Sequence, residues 1–465
     1  MRRRTFLKST AASLLAAQCG GIATRAYADL PLVMNSNMIV QCMLLGGPDF
    51  RHFFPPAFDP TPGSFGREFF SVRSSAYQIE DTPEAAESLW NSGFHPVNGG
   101  GVDFGIMQGL DWLKTMWDQG NVALIENVAG ATSRDHQHAQ LVWESSDRTL
   151  TQLSRPDTGW GGRLADAGDG KVVSLTPSPR LFCLHRHPDD PSVIGTQRIV
   201  TLTDPANIGL FRPDSTVPFD DVQRGITRSL TNYYAAKDAN IAPGSPNRVF
   251  VDHQLGLEEL GDLVRPRFSS FTEPTVLTDL YTGPNALTNV SIGTQFRNLY
   301  YAMAAGDLMN LNTVSMAHGG FDSHDNQKAE IENKFFDLFG TGGAMDTLYQ
   351  LMSPTISQQV VFAFSGEFGR QLKANGGNGT DHGLGNTVLL VGLSVNGGVY
   401  GEMFPPEELD RLDEPTPDIE GRTALDAVFA ELAEWAVPGS SAQVFPGLAG
   451  APVESGVNLT ALMTG

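Results

Sequence analysis

Cysteine is scarce, with three in 465 residues. Cys19 lies in a stretch read below as a removable leader, so only Cys42 and Cys183 remain, which excludes a disulfide-built fold and leaves room for one bridge. Long apolar runs are missing too. The apolar part of the N-terminus, 11–17, is far short of the roughly 18–20 residues a membrane span needs, so no transmembrane span is expected. Base is short against acid, 31 Lys and Arg to 52 Asp and Glu. A surface of that sign repels nucleic acid and anionic lipid, so no nucleic-acid partner is expected. There is no phosphate-binding G-x-x-x-x-G-K-[ST] loop, no H-E-x-x-H, no paired C-x-x-C and no dinucleotide fingerprint. A serine nucleophile elbow is also lacking, because Asn396 stands where its last glycine belongs.

What is present begins with export. Arg3-Arg4-Thr5-Phe6-Leu7-Lys8, a weakly apolar run and Ala26-Tyr27-Ala28 read as a twin-arginine signal peptide over 1–28, cleaved before Asp29. Gln18 stands where lipoprotein cleavage at Cys19 needs a small residue. The expected location is periplasmic or secreted, with the twin-arginine export machinery as partner in transit. That route carries folded proteins and fits a metal loaded before export.

Short, nearly continuous apolar runs recur at 38–45, 122–128, 311–317, 360–364 and 388–393, as strands buried on both faces would. Helical periodicity fills 106–119, 136–144, 292–309, 328–351 and 423–436. Strands alternating with helices predict an α/β fold around a largely parallel sheet, with one domain over 29–465. The stretch 171–288 breaks the rhythm with Pro and Asp clusters. It is expected to be a cap or insertion containing helices at 221–235 and 252–264. The tail from Pro438 is expected to wrap the surface.

In open α/β sheets functional groups gather in loops past the carboxyl ends of the strands. The first run ends at Asp49; the second leads to Ser133-Arg134-Asp135-His136-Gln137-His138. The third ends in His318-Gly319-Gly320-Phe321-Asp322-Ser323-His324, the fourth in Ser365-Gly366-Glu367-Phe368-Gly369-Arg370, and a glycine-rich loop presents Asp381-His382. Asp322 and His324 are two apart, so an extended backbone points both to one side. Asp, Glu and His together fit zinc, manganese or iron better than calcium or magnesium. Each residue also has a plain reading: Asp49 as a turn residue, His136 and His138 as solvated or capping groups, Glu367 with Arg370 as a local ion pair. Five of the ten histidines fall in these loops, and that clustering favours a metal or anion site.

The leader, Gly46-Gly47-x-Asp49, Gly159-Trp160, Gly320-Phe321-Asp322-Ser323-His324-Asp325-Asn326-Gln327, Glu367-Phe368-Gly369-Arg370, Thr380-Asp381-His382-Gly383 and Val399-Tyr400-Gly401 together resemble the bacterial family catalogued as domain of unknown function 1501. That family is regarded as related to alkaline phosphatases and arylsulfatases. The resemblance implies an α/β/α sandwich, alkaline phosphatase-like, with a divalent metal, zinc or manganese, at the strand ends. It implies Asp322, His324 and His382 as ligands of one ion, with Asp49 and Glu367 as further metal ligands. Phe368 stands where the relatives have a His, so a ligand of a second metal is missing. Asp135-His136 stands where the relatives offer a nucleophile, making Asp135, His136 and Arg370 the candidate catalytic residues. A carboxylate there repels phosphate and sulfate.

The expected function is an exported metal-dependent hydrolase-like protein acting on phosphate or sulfate esters. The alternative is a non-catalytic exported binding or cell-envelope protein that keeps the fold, with a structural metal or a carbohydrate ligand. A secreted partner for another exported protein is the third class.

Overall fold

The computed structural model describes residues 32–154, 156–186, 194–195, 198–205, 221–238, 240–241, 246–268, 272–412 and 414–464. The expected signal peptide, 1–28, lies outside the described residues. Among the described residues nine strands make the main sheet: β1 (Met38–Leu44), β2 (Val122–Ala129), β3 (Val172–Ser174), β4 (Ile199–Thr201), β5 (Thr313–His318), β6 (Val360–Ser365), β7 (Gly385–Val391), β8 (Gly398–Tyr400) and β9 (Thr423–Ala424). Their order is β8-β2-β7-β6-β1-β5-β3-β4, with β9 also on β2. Pairs are parallel except where β7 meets β6 and β2. The fold is mixed α/β with a mostly parallel central sheet.

Alternation along each strand explains why these runs are apolar throughout. In β1, Met38, Val40, Cys42 and Leu44 enter one buried cluster, and Ile39 and Met43 the other. The first cluster is closed by the helices Val290–Ala304, Gln327–Phe339 and Ala344–Leu351, the second by His136–Ser145, Trp160–Ala167 and Leu425–Ala436. A strand covered on both faces has no polar side, so period-two patterning disappears from its sequence.

Three expectations change. Residues 106–119 are not one helix: Val102–Met107 pairs with Phe94–Gly99 as a hairpin, and the helix runs only Asp111–Asp118. Gly100 and Gly101, at φ 62° and 90°, make the turn that a helical reading of the apolar spacing overlooks. The expected 328–351 helix is two, Gln327–Phe339 and Ala344–Leu351, separated by a segment with three glycines. The stretch 171–288 does not stand wholly beside the sheet, because β3 and β4 extend its edge. Its two long helices are Asp221–Asp238 and Pro246–Phe268. Cys42 and Cys183 are buried free thiols, so the one possible bridge is not formed. No helix among the described residues is long and apolar enough to cross a membrane.

Candidate metal centre

Sheet register brings the polar loops together. Leu44 pairs with His318 and Met43 with Ser365, so β1, β5 and β6 release their chains at one level of one edge. β2 runs in the same sense as β6, and β7 starts at that edge, Gly385 lying opposite Ala129. Its preceding loop therefore returns to the same place. Gly369–Arg370 and His382–Gly383 form a short ribbon in which Arg370 faces His382. Glycine is required at the crossing of the first and third loops: Gly46 has φ +113°, and a Cβ there would lie 2.2 Å from the Asp322 amide nitrogen.

Three imidazoles surround Asp322. His382 Nε2 lies 2.8 Å from Asp322 Oδ1 and His324 Nε2 3.1 Å from the same oxygen. The two Nε2 atoms are 2.9 Å apart. His136 Nε2 is 3.3 Å from Asp322 Oδ2. His136, Asp322 and His382 each place a ligand atom within 4.8 Å of the other two. Phe368 packs against the rings of His136 and His382, with centroids 4.9 and 4.2 Å away.

The far nitrogens decide what the near ones can do. His324 Nδ1 is 2.9 Å from Asp381 Oδ1, which Asn375 Nδ2 also reaches at 2.9 Å. His382 Nδ1 is 3.0 Å from the Arg134 carbonyl. A carbonyl and a carboxylate only accept, so each Nδ1 carries the proton, and in the neutral ring each Nε2 is a bare lone pair. With both rings neutral, two lone pairs face each other and a carboxylate oxygen that Arg370 Nη2 also reaches, at 2.9 Å. A cation satisfies all three atoms at once, and acceptors behind the imidazoles are the usual support of metal-binding histidines. Donor set and geometry thus fit a divalent ion, with imidazole favouring zinc, manganese or iron. Partial burial pushes the Asp322 carboxyl up, but the neighbouring His382 and the Arg370 guanidinium outweigh it and hold it at about 2. Burial lowers His382, in the direction of the neutral ring that a metal ligand needs.

The remaining candidates go elsewhere. Asp49 is 2% exposed and is bonded by Arg73 at 2.5 Å and Gln327 at 2.9 Å, outside the imidazole group. Glu367 is fully buried. It accepts from the Gly46 amide at 3.0 Å, His136 Nδ1 at 2.9 Å and Gln140 Nε2 at 3.1 Å. Asp135 caps the helix His136–Ser145, accepting from the His138 amide at 2.8 Å, so its carboxylate is engaged with backbone.

Arg370, expected to face a substrate, has a side chain with no exposure. Its nitrogens bond the carbonyls of Gly46, Gly47, Phe321 and Thr380 as well as Asp322, so it clamps the loops instead. His138 faces Ser133 Oγ at 2.7 Å and the Leu150 carbonyl at 2.9 Å. His318 lies in the core beside Asn289 and Phe321, and burial lowers it to about 4.

Sequence reasoning overlooked Gln140 and Asn375 as supports. Gln140 was findable, since it sits four residues after His136 and one helical turn puts both on one face. Asn375 meets Asp381 only through the loop's tertiary path.

No curated protein and no solved structure matches the chain. Residues 305–406, which hold Asp322, His324, Glu367, Arg370 and His382, match the family model described as protein of unknown function (DUF1501), in support of the family resemblance those motifs carry.

Proposed function

We propose that this is an exported, metal-dependent hydrolase-like protein of alkaline phosphatase-like architecture, acting on phosphate or sulfate esters after twin-arginine export to the periplasm or beyond. The observation that carries it is the pair of Nε2 atoms 2.9 Å apart beside Asp322, each on a ring whose Nδ1 already faces an acceptor. Asp322, His324 and His382 would hold the ion. When bound, it would supply a Lewis acid that polarises an ester oxygen or lowers the pKa of water. Asp381 and the Arg134 carbonyl orient the two imidazoles, Arg370 fixes the loops carrying Asp322 and His382, and Phe368 screens one side of the cluster from water.

One observation favours the second reading, a binding or envelope protein with a structural ion. Arg134 pairs with Asp418, Arg73 with Asp49, and Arg370 is buried. Among the described residues none of these three guanidinium groups is spare to meet a doubly charged ester. The two readings separate in an assay of aryl phosphates and aryl sulfates with zinc- or manganese-loaded protein. Turnover that vanishes in the Asp322→Ala, His324→Ala double variant supports the hydrolase. Stoichiometric metal with no turnover on either ester class overturns it in favour of the structural ion.

A further inference from the structure

The metal reading above leaves two of its expected participants, His136 and Glu367, in places that suit each other's role. We infer that His136 is a fourth ligand of the same ion and that Glu367 is the residue that positions it, making a centre of three imidazoles and one carboxylate. This rests on the proposed metal site and adds to it.

One device occurs three times in the cluster. Each imidazole has an acceptor behind its Nδ1: Asp381 Oδ1 for His324, the Arg134 carbonyl for His382 and Glu367 Oε1 for His136. Each acceptor receives a hydrogen bond from Nδ1–H, so in its neutral form each ring offers the Nε2 lone pair forward. All three Nε2 atoms point at one carboxylate, Asp322, at 3.1, 2.8 and 3.3 Å. The rings of His136 and His382 meet edge to face, their centroids 4.7 Å apart, as neighbouring ligands of one ion can.

Glu367 is not itself a ligand. It has no exposed surface, and Oε1 already receives the Gly46 amide, His136 and Gln140. Its place at the end of β6 is that of a ligand, but His136 stands between it and Asp322. The negative charge expected at the ion is thus delivered through an imidazole. Nitrogen then outnumbers oxygen in the donor set three to one, which favours zinc, iron or manganese and disfavours calcium and magnesium, which take oxygen ligands.

Cobalt(II) is a suitable probe, because its visible absorption reports the donors around it. The signal-cleaved protein, His136→Ala, Glu367→Gln and Gln140→Ala are titrated with cobalt(II), then with zinc in competition. His136 is about one-third exposed, so its replacement leaves the core intact. The expected result is at least a tenfold loss of affinity in His136→Ala with a changed cobalt spectrum. Glu367→Gln, isosteric but uncharged, should lose about tenfold with one ion still bound, in the range seen for residues behind a ligand. Gln140→Ala, which removes one of the donors holding Glu367, should lose less affinity than Glu367→Gln. A His136→Ala protein with wild-type affinity and spectrum overturns this inference while leaving the Asp322, His324 and His382 site standing. A wild type that takes up neither cobalt nor zinc overturns both.

Discussion

Asp49 and Asp322 are carboxylates in the loops after two adjacent strands, and their surroundings close in opposite ways. Asp49 meets Arg73 Nη1, Gln327 Nε2 and the His52 amide, while Arg73 gives its other nitrogens to the carbonyls of Gln371 and Leu372. Each of those donors has an acceptor, and the group is sealed from solvent. Asp322 keeps 43% of its side chain exposed, accepts from Arg370 at 2.9 Å and otherwise faces three imidazole Nε2 atoms that are bare lone pairs in the neutral rings. The first cluster is complete as built, and on the proposed reading the second is completed by a cation. Residue type does not separate the two. The balance of donors and acceptors does.

The strongest way to break this contrast is Asp49→Ala. It strands a buried guanidinium, and losing one partner of a buried pair costs about 3–5 kcal/mol. Urea unfolding should show that loss, with metal content per folded molecule unchanged. A variant that keeps its stability and loses metal would return Asp49 to the ligand role its sequence position suggests.

A third carboxylate sharpens the comparison, because Thr387 is its one hydrogen-bond donor among the described residues and the Arg51 guanidinium acts on it without bonding it. Glu126 in β2 is buried and accepts from Thr387 at 2.9 Å, and burial raises its carboxyl from 4.5 to about 7. Below pH 4.5 the group is neutral folded or unfolded. Above it the unfolded chain ionises first, so stability falls as pH rises until the folded group also ionises near 7. The loss amounts to about 3 kcal/mol across that window. Glu126→Gln should flatten stability between pH 5 and 8 and be the more stable protein at pH 8. An unaltered pH profile would place the ionised carboxylate comfortably in the fold.

The smallest effect is expected beside the centre. Ser133→Ala removes the hydroxyl on His138 Nδ1 and should cost about 1 kcal/mol in thermal unfolding, with cobalt affinity at the wild-type value. A change in affinity would tie His138 to the ion.

The strands carrying the site were legible because burial on both faces writes a continuous apolar run, and the polar clusters at their ends marked the loops. Asp322, His324 and His382 share one centre that local patterning and motif resemblance indicated. Asp49 and Glu367 were legible as polar strand-end residues, but their neighbours were not. Arg73 lies 24 residues from Asp49 and Gln140 lies 227 from Glu367, and nothing local announces either pairing. His318 misled for the same reason: one residue's difference along β5 turns a side chain to the other face. The hairpin at 94–107 was missed because its apolar alternation overlaps the start of a helical period, and only the Gly100-Gly101 turn resolves it.

The central claim is that Asp322 and its imidazoles are complete only with a metal ion. Elemental mass spectrometry of the folded, signal-cleaved protein, purified without chelator and then incubated with zinc or manganese, tests it most directly against the Asp322→Ala, His324→Ala variant. The account predicts one transition-metal ion per wild-type chain and none in the variant. A folded wild type that retains no metal under those conditions would contradict it.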